Sequence, residues 1–224
     1  MRNVIQEQRE QLRFLIASGN IRAALELLND ESKLRFTALY LLEGAYAINF
    51  MLVDREDTPS GLPHNIPLDG SYCSLVLSAA APVVITNASL DKRLEGHPSR
   101  QSMAAYCGVP LLDLNGEVLG TLCQFDPVPT PISDHTVALM TEVATGLGQD
   151  AAADLRMKHL HVRVERLSDM QELLASVDIG DARAVFDDSA TPLLAEANRS
   201  LSPSAALEVE ARISAIWWSI RQAS

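Results

Sequence analysis

Two apolar runs, Ala105–Leu112 and Val118–Phe125, flank Asp113-Leu114-Asn115-Gly116. An Asn-Gly pair supplies the positive φ angles of a tight hairpin turn, so the stretch predicts two antiparallel strands. Strand alternation puts Leu119, Thr121, Cys123 and Phe125 on one face and Val118, Gly120, Leu122 and Gln124 on the other. Tyr106, Gly108 and Pro110 alternate in the same way with Cys107, Val109 and Leu111. Alternation alone leaves open which face meets a binding site.

The remaining elements follow from period and punctuation. Residues 3–17 read as a helix with Val4, Ile5, Leu12, Leu15 and Ile16 on one side, ended by Gly19-Asn20, and Ile21–Leu28 resumes a helical pattern. Arg35–Leu42 and Ala45–Asp54 read as a strand pair around Glu43-Gly44. Residues 57–70, with three prolines and two glycines, are a loop. Ser71–Ser78 is a short helix, Val83–Ile85 a strand, and Asn87–Ser102 a loop with at most a helical turn. Ser133 or Asp134 caps a helix read as continuous from about 133 to 177, ended by Gly180. Its stripe of Met157, Leu160, Val164, Leu167, Met170 and Leu174 fits either a seam with a second copy or the core face of a packed helix. Thr191-Pro192 and Ser202-Pro203 each read as a helix start. In the last helix, which carries Ile213, Ile216 and Ile220, one of Trp217-Trp218 packs and the other is partly exposed.

Composition narrows the function. With 29 acidic against 18 basic residues in 224, the net charge of -11 leaves no broad basic face for nucleic acid or an anionic membrane surface. No stretch approaches the roughly 20 apolar residues of a spanning helix. Three widely spaced cysteines, Cys73, Cys107 and Cys123, and an N-terminus without an apolar signal core lead us to expect a reducing, cytoplasmic setting. His64, His97, His135, His159 and His161 are too scattered to expect a metal site.

Ser71-Tyr72-Cys73, Pro82-Val83-Val84-Ile85, Asn87-Ala88, Asp91-Lys92-Arg93-Leu94 and the run YCGVPLLDLNGEVLGTLCQFD from Tyr106 to Asp126 together resemble a GAF domain. The likeness is to the version found in bacterial sensor kinases and cyclic-di-nucleotide enzymes, and it covers roughly residues 34–150. It implies an α+β fold in which a central antiparallel sheet is flanked by N- and C-terminal helices, with a ligand pocket under loops. Residues 1–33 are then N-terminal helices, and 151–224 a helical C-terminal extension. The resemblance implies a sensory or regulatory module that binds a small ligand and signals through its helices to a second copy, as a homodimer, or to a separate signalling protein.

Candidate ligand-side residues are Tyr72, Cys73, Asp91, Arg93, His97, Tyr106, Cys107, Thr121 and Cys123. Asp91, Arg93 and His97 would roof the pocket, either as a polar lid on a ligand or with Asp91 and Arg93 paired to hold the loop. Tyr106 and Thr121 are pocket hydroxyls or core polar groups. A related GAF family reduces free methionine sulfoxide with pocket cysteines, so a thiol-dependent reductase is the alternative, and a ligand-free assembly scaffold a third. The reductase needs two cysteines with α carbons closer than about 7 Å. No Cys-His dipeptide is present for a covalent bilin, and the Asn-Lys-x-Phe-Asp-Glu signature of cyclic-nucleotide GAF domains is absent. No cofactor is identified, and no kinase or cyclase output motif is recognisable.

Overall fold

The hairpin at the centre of the chain forms as β5 (Ala105–Leu112) and β6 (Val118–Asp126), paired from Ala105↔Asp126 to Leu112↔Val118. Its turn differs from the two-residue expectation. Of Asn115 and Gly116, Gly116 alone has a positive φ, at +79°, and the Asp113 carboxylate holds the turn by accepting from the amides of Asn115 (2.8 Å) and Glu117 (2.9 Å). An Asx-type side-chain bond does the work that a second positive φ would have done.

The computed structural model describes residues 2–56, 63, 65–113, 115–150, 152–170, 174 and 178–223, and the chain divides into two units, Met1–Ala151 and Ala152–Ser224. The expectations placed on Leu114, His64 and the loop residues 57–62 lie outside the described residues, as do those on the side chains of Val4, Ile5 and His159. In unit 1, α1 (Arg2–Ala17) and α2 (Ile21–Glu31) precede β1 (Phe36–Glu43) and β2 (Tyr46–Asp54). The end of the proline-rich stretch forms a short strand, β3 (Asn65–Pro67), which pairs with β2. Then come α3 (Cys73–Ala79), β4 (Val83–Ile85), two single 3-10 turns at Lys92–Leu94 and Pro98–Arg100, the hairpin, and α4 (Asp134–Asp150). Among the described residues the strands form one antiparallel sheet in the order β3-β2-β1-β6-β5-β4, an α+β architecture.

Alternation sorts the sheet into two faces. Leu39, Leu41, Val109, Leu111 and Leu122 are buried on the helical face, where α2 packs on β1, α4 on β5, and α1 on α4. A buried polar knot ties that face together: the Asn29 amide donates to Thr37 Oγ1 (2.9 Å) and to the carbonyls of Leu34 and Arg35, and Gln124 Nε2 donates to Thr37 Oγ1 and Leu28 O. The opposite face holds a second core of Phe36, Ala38, Tyr40, Tyr72, Cys73, Val76, Ile85, Leu94, Tyr106, Cys123 and Phe125, roofed by α3 and the 87–103 loop.

Unit 2 corrects three readings. The expected helix from 133 to 177 is helical over Asp134–Asp150 (α4) and over Ala152–Ser168 (α5), and Ala151 between them lies outside the described residues. Here α5 ends in i→i+3 bonds from Asp169 and Met170, well short of residue 177. Gly180 does not end a helix but lies in the first turn of α6 (Ile179–Ser200), which Asp178 caps by accepting from the Gly180 amide at 2.9 Å. Thr191-Pro192 therefore falls inside α6, where the proline withdraws one amide from the ladder instead of starting a helix. Ser202-Pro203 does open α7 (Pro203–Ala223), with Ser202 Oγ capping the Ala205 amide. The stripe Leu160, Val164 and Leu167 packs internally with Phe186, Leu193, Val209, Ile213 and Ile220, so those residues are used within the chain. Trp217 lies against Phe186 with ring centroids 5.2 Å apart, while Trp218 is 58% exposed. No described helix is long and apolar enough to cross a membrane.

Candidate functional site beneath the lid

The site is built from the short segment Ser71-Tyr72-Cys73. Ser71 Oγ accepts from the Cys73 amide at 3.1 Å and so fixes the start of α3, whose first residue is Cys73. That entry turns the Cys73 side chain down onto the sheet. Thr121 Oγ1 of β6 lies 3.2 Å from its sulfur and the Tyr106 hydroxyl of β5 3.7 Å, and Cys123 belongs to the same buried cluster. Gly108 makes the Tyr106 position available. A Cβ there would fall 2.6 Å from Tyr106 Cζ and closer still to its hydroxyl, so the ring lies over the space a side chain would fill.

Electrostatics follow from these donors. The Cys123 thiol, with Ser71, Thr121 and Tyr106, outweighs burial and draws the Cys73 thiol down to about 6. Burial and the neighbouring Cys73 push the Cys123 thiol well up, and burial with both sulfurs does the same for the Tyr106 phenol. Tyr40, mostly buried beside the pair, is also raised.

Aromatic contacts carry the cluster outward to the loop. The Tyr72 ring meets Tyr106 edge-on at 5.5 Å and His97 at 4.6 Å, and its hydroxyl donates to Met103 O at 3.3 Å. His97 Nδ1 accepts from the Ser99 amide at 3.2 Å, which leaves Nε2 as the nitrogen that can donate. That Nε2 is buried and, among the described residues, has no hydrogen-bond partner.

A separate set of bonds holds the lid. Asp91 accepts from the Arg93 amide and guanidinium, and Arg93 also donates to Val84 O at 3.0 Å. The guanidinium keeps the Asp91 carboxyl below its ordinary range. Arg100 donates to Ala88 O (3.0 Å) and Ser89 O (2.7 Å), and Ser99 Oγ to Gly70 O. A shallow hollow of about 360 Å³ beside this loop is lined by Val84, Asn87, Leu90, Asp91 and Lys92 among others.

The structure thus brings together Tyr72, Cys73, His97, Tyr106, Thr121 and Cys123, and sets Asp91 and Arg93 apart as a pair that holds the loop. Cys107 does not join them. It is buried on the helical face, opposite Gln124 in the register, because odd and even positions of β5 face opposite ways. Burial alone pushes its thiol up to about 12. The sequence reading did not single out Ser71, Gly108 or Arg100. A Ser two residues before a helical Cys was a legible cap, whereas an arginine that binds carbonyls carries no local signal. Among the described residues no three His, Cys, Asp or Glu side chains are grouped to hold a metal ion.

Comparison with known proteins agrees with this architecture. The family model described as "GAF domain" matches residues 20–149, more than half of the chain. No curated protein matches it. Among solved structures, it is similar to the GAF domain of an Acinetobacter phosphoenolpyruvate-protein phosphotransferase, at 18% identity over 66% of this chain and 92% of that one, with a TM-score of 0.54. It is equally similar to a GAF sensor protein from Burkholderia vietnamiensis, at 16% identity, 66% and 92% coverage and a TM-score of 0.54. It is also similar to the free methionine-R-sulfoxide reductase of Neisseria meningitidis, at 14% identity, 64% and 86% coverage and a TM-score of 0.53. At these identities the structural likeness speaks for the fold alone. With the six-stranded sheet, its roofing loop and the family match over residues 20–149, the chain belongs to the GAF domain family, a sensory and regulatory fold.

Proposed function

We propose that the chain is a GAF-type regulatory module that binds a small polar ligand beneath the 87–103 loop and passes its occupancy through the flanking helices to a second copy or a partner protein. The observation that carries this reading is the buried, unpartnered Nε2 of His97. It sits at the outer end of the string His97, Tyr72, Tyr106, Cys73, while the lid is held by other residues. A buried donor without a partner costs on the order of 1–3 kcal/mol, which a ligand acceptor would recover.

Transmission has a short physical route. Thr121 and Cys123 face the site while Gln124, next along β6, donates to Leu28 O of α2 on the other face. A displacement of β6 by a ligand therefore acts directly on α2, and a ligand favouring one strand position biases the helices. The helical face offers a surface for the reader of that signal. A groove of about 690 Å³ between α1 and α4 includes Ile16, Ala17, Ala138 and Gly146, and Phe14 on α1 is 71% exposed.

Thermal unfolding tests the reading. Protein as purified is expected to melt higher than the same protein denatured, dialysed and refolded, because a ligand bound only to the native state stabilises it. The difference is expected to vanish in His97→Ala. Equal melting of the two preparations of the native sequence would overturn the reading. The convergence of hydroxyl and thiol groups on Cys73 supports a second reading, a thiol-dependent reductase. Turnover of free methionine sulfoxide with dithiothreitol, abolished by Cys73→Ser, would put that enzyme in place of the regulatory module.

A further inference from the structure

Two sulfurs, those of Cys73 and Cys123, lie together in the core on the lidded face of the sheet. Cys73 and Cys123 are 2% and 1% exposed and belong to the same core cluster; the Tyr106 hydroxyl lies 3.7 Å from the Cys73 sulfur, and its ring covers Gly108, the register partner of Cys123. Thr121 Oγ1, 3.2 Å from the Cys73 sulfur, adds a second hydroxyl to that atom alone. Hydroxyls converging on one sulfur favour its thiolate, the nucleophilic form, while the other sulfur stays a thiol. The third cysteine, Cys107, lies across the sheet and serves as an internal control.

We propose that Cys73 and Cys123 form a reversible intramolecular disulfide on exposure to a hydroperoxide, with Cys73 as the attacking thiol and Cys123 as the resolving thiol. The Cys73 thiolate attacks one peroxide oxygen, so that an S–O bond forms, the O–O bond breaks, and hydroxide leaves to take up a proton as water. Cys123 sulfur then attacks the Cys73 sulfenic acid. The S–S bond forms, the S–O bond breaks, and the hydroxyl departs with the Cys123 proton as a second water. Two electrons pass from the thiol pair to the peroxide, and a dithiol reductant returns them. The inference is independent of the ligand reading, since its test uses no ligand.

The experiment treats the full chain with hydrogen peroxide, quenches, denatures, and alkylates with iodoacetamide before mass spectrometry. Untreated protein is expected to take three carbamidomethyl groups, one per cysteine. Treated protein is expected to take one, mapped to Cys107, with a Cys73–Cys123 cross-linked peptide that dithiothreitol reverses. In Cys123→Ser, dimedone is expected to trap the Cys73 sulfenic acid, and in Cys107→Ser the cross-link still forms. Thr121→Val is expected to slow oxidation several-fold at pH 6, where the loss of a donor most reduces the thiolate fraction. Three alkylatable thiols after treatment, a link that includes Cys107, or a link between two chains would overturn the proposal, and none of these readings depends on a variant folding.

Discussion

Replacing Gly108 by alanine attacks the site through space alone. The added Cβ would lie 2.6 Å from Tyr106 Cζ and 2.7 Å from Cε1, about 1 Å inside ordinary carbon contact, so the ring has to leave its place. It has nowhere open to go, since Tyr106 is 1% exposed and wedged between Tyr72 and Cys73. Overpacking of this kind costs about 1–3 kcal/mol, and the lost hydroxyl–sulfur bond adds about 1 kcal/mol. Relief of glycine's chain entropy in a strand returns about 0.5–1 kcal/mol. The balance is a destabilisation of about 1–3.5 kcal/mol, or a fall in melting temperature of about 2–14 °C for a chain of this size. Thermal unfolding followed by near-ultraviolet circular dichroism reads both the loss of stability and the altered tyrosine environment. Thiolate absorbance near 240 nm is expected to show Cys73 titrating higher than in the native protein, because one of its donors has gone. A Gly108→Ala protein that melts with the native one and keeps its tyrosine signal would refute the reasoning.

Three further outcomes are expected. Gly148→Ala places a Cβ 2.8 Å from the Leu112 carbonyl carbon and nearer still to its oxygen, so α4 must lift from β5, with a loss of about 1–3 kcal/mol in chemical denaturation. Asn29→Ala strips the amide from Thr37 Oγ1 and from the Leu34 and Arg35 carbonyls in a buried site, and a similar loss of about 1–3 kcal/mol is expected by the same assay. Cys73 titrates near 6 in the folded chain against an ordinary value of 9, so its thiolate stabilises the fold above 9 and that contribution disappears as pH falls through 6. Denaturant midpoints of the native protein relative to Cys73→Ser are therefore expected to rise between about pH 6 and pH 9, and a flat difference would contradict the assignment.

What the sequence made legible is what short-range chemistry controls. The β5–β6 hairpin was readable because its alternation and its Asn-Gly turn are local, although Asp113, not Asn115, supplies the second constraint. Period alone put Thr121 and Cys123 on one face of β6 and separated Tyr106 from Cys107 on β5. Which face the lid covers depended on where α1, α2 and α4 settle, and the cysteine separated by that outcome was Cys107. Thr191-Pro192 looked like a helix start because a capping residue before proline is the same signal at a terminus and at a tolerated interior site. The apolar row Ala182, Phe186, Ala190, Leu193 and Ala197 runs straight past it and carries the helix. The stripe from Leu160 to Leu174 likewise could not announce its partner. Phe186 and Ile213 fill that role from far along the chain. Gly108 and Arg100 act by one absent Cβ and two carbonyls, neither of which marks the sequence.

Native mass spectrometry of freshly purified protein, first under gentle and then under denaturing conditions, tests the central claim most directly. The account predicts extra mass that departs on denaturation and is diminished in His97→Ala, because the ligand sits against that imidazole. A native chain that carries no additional mass under the gentlest conditions would contradict it.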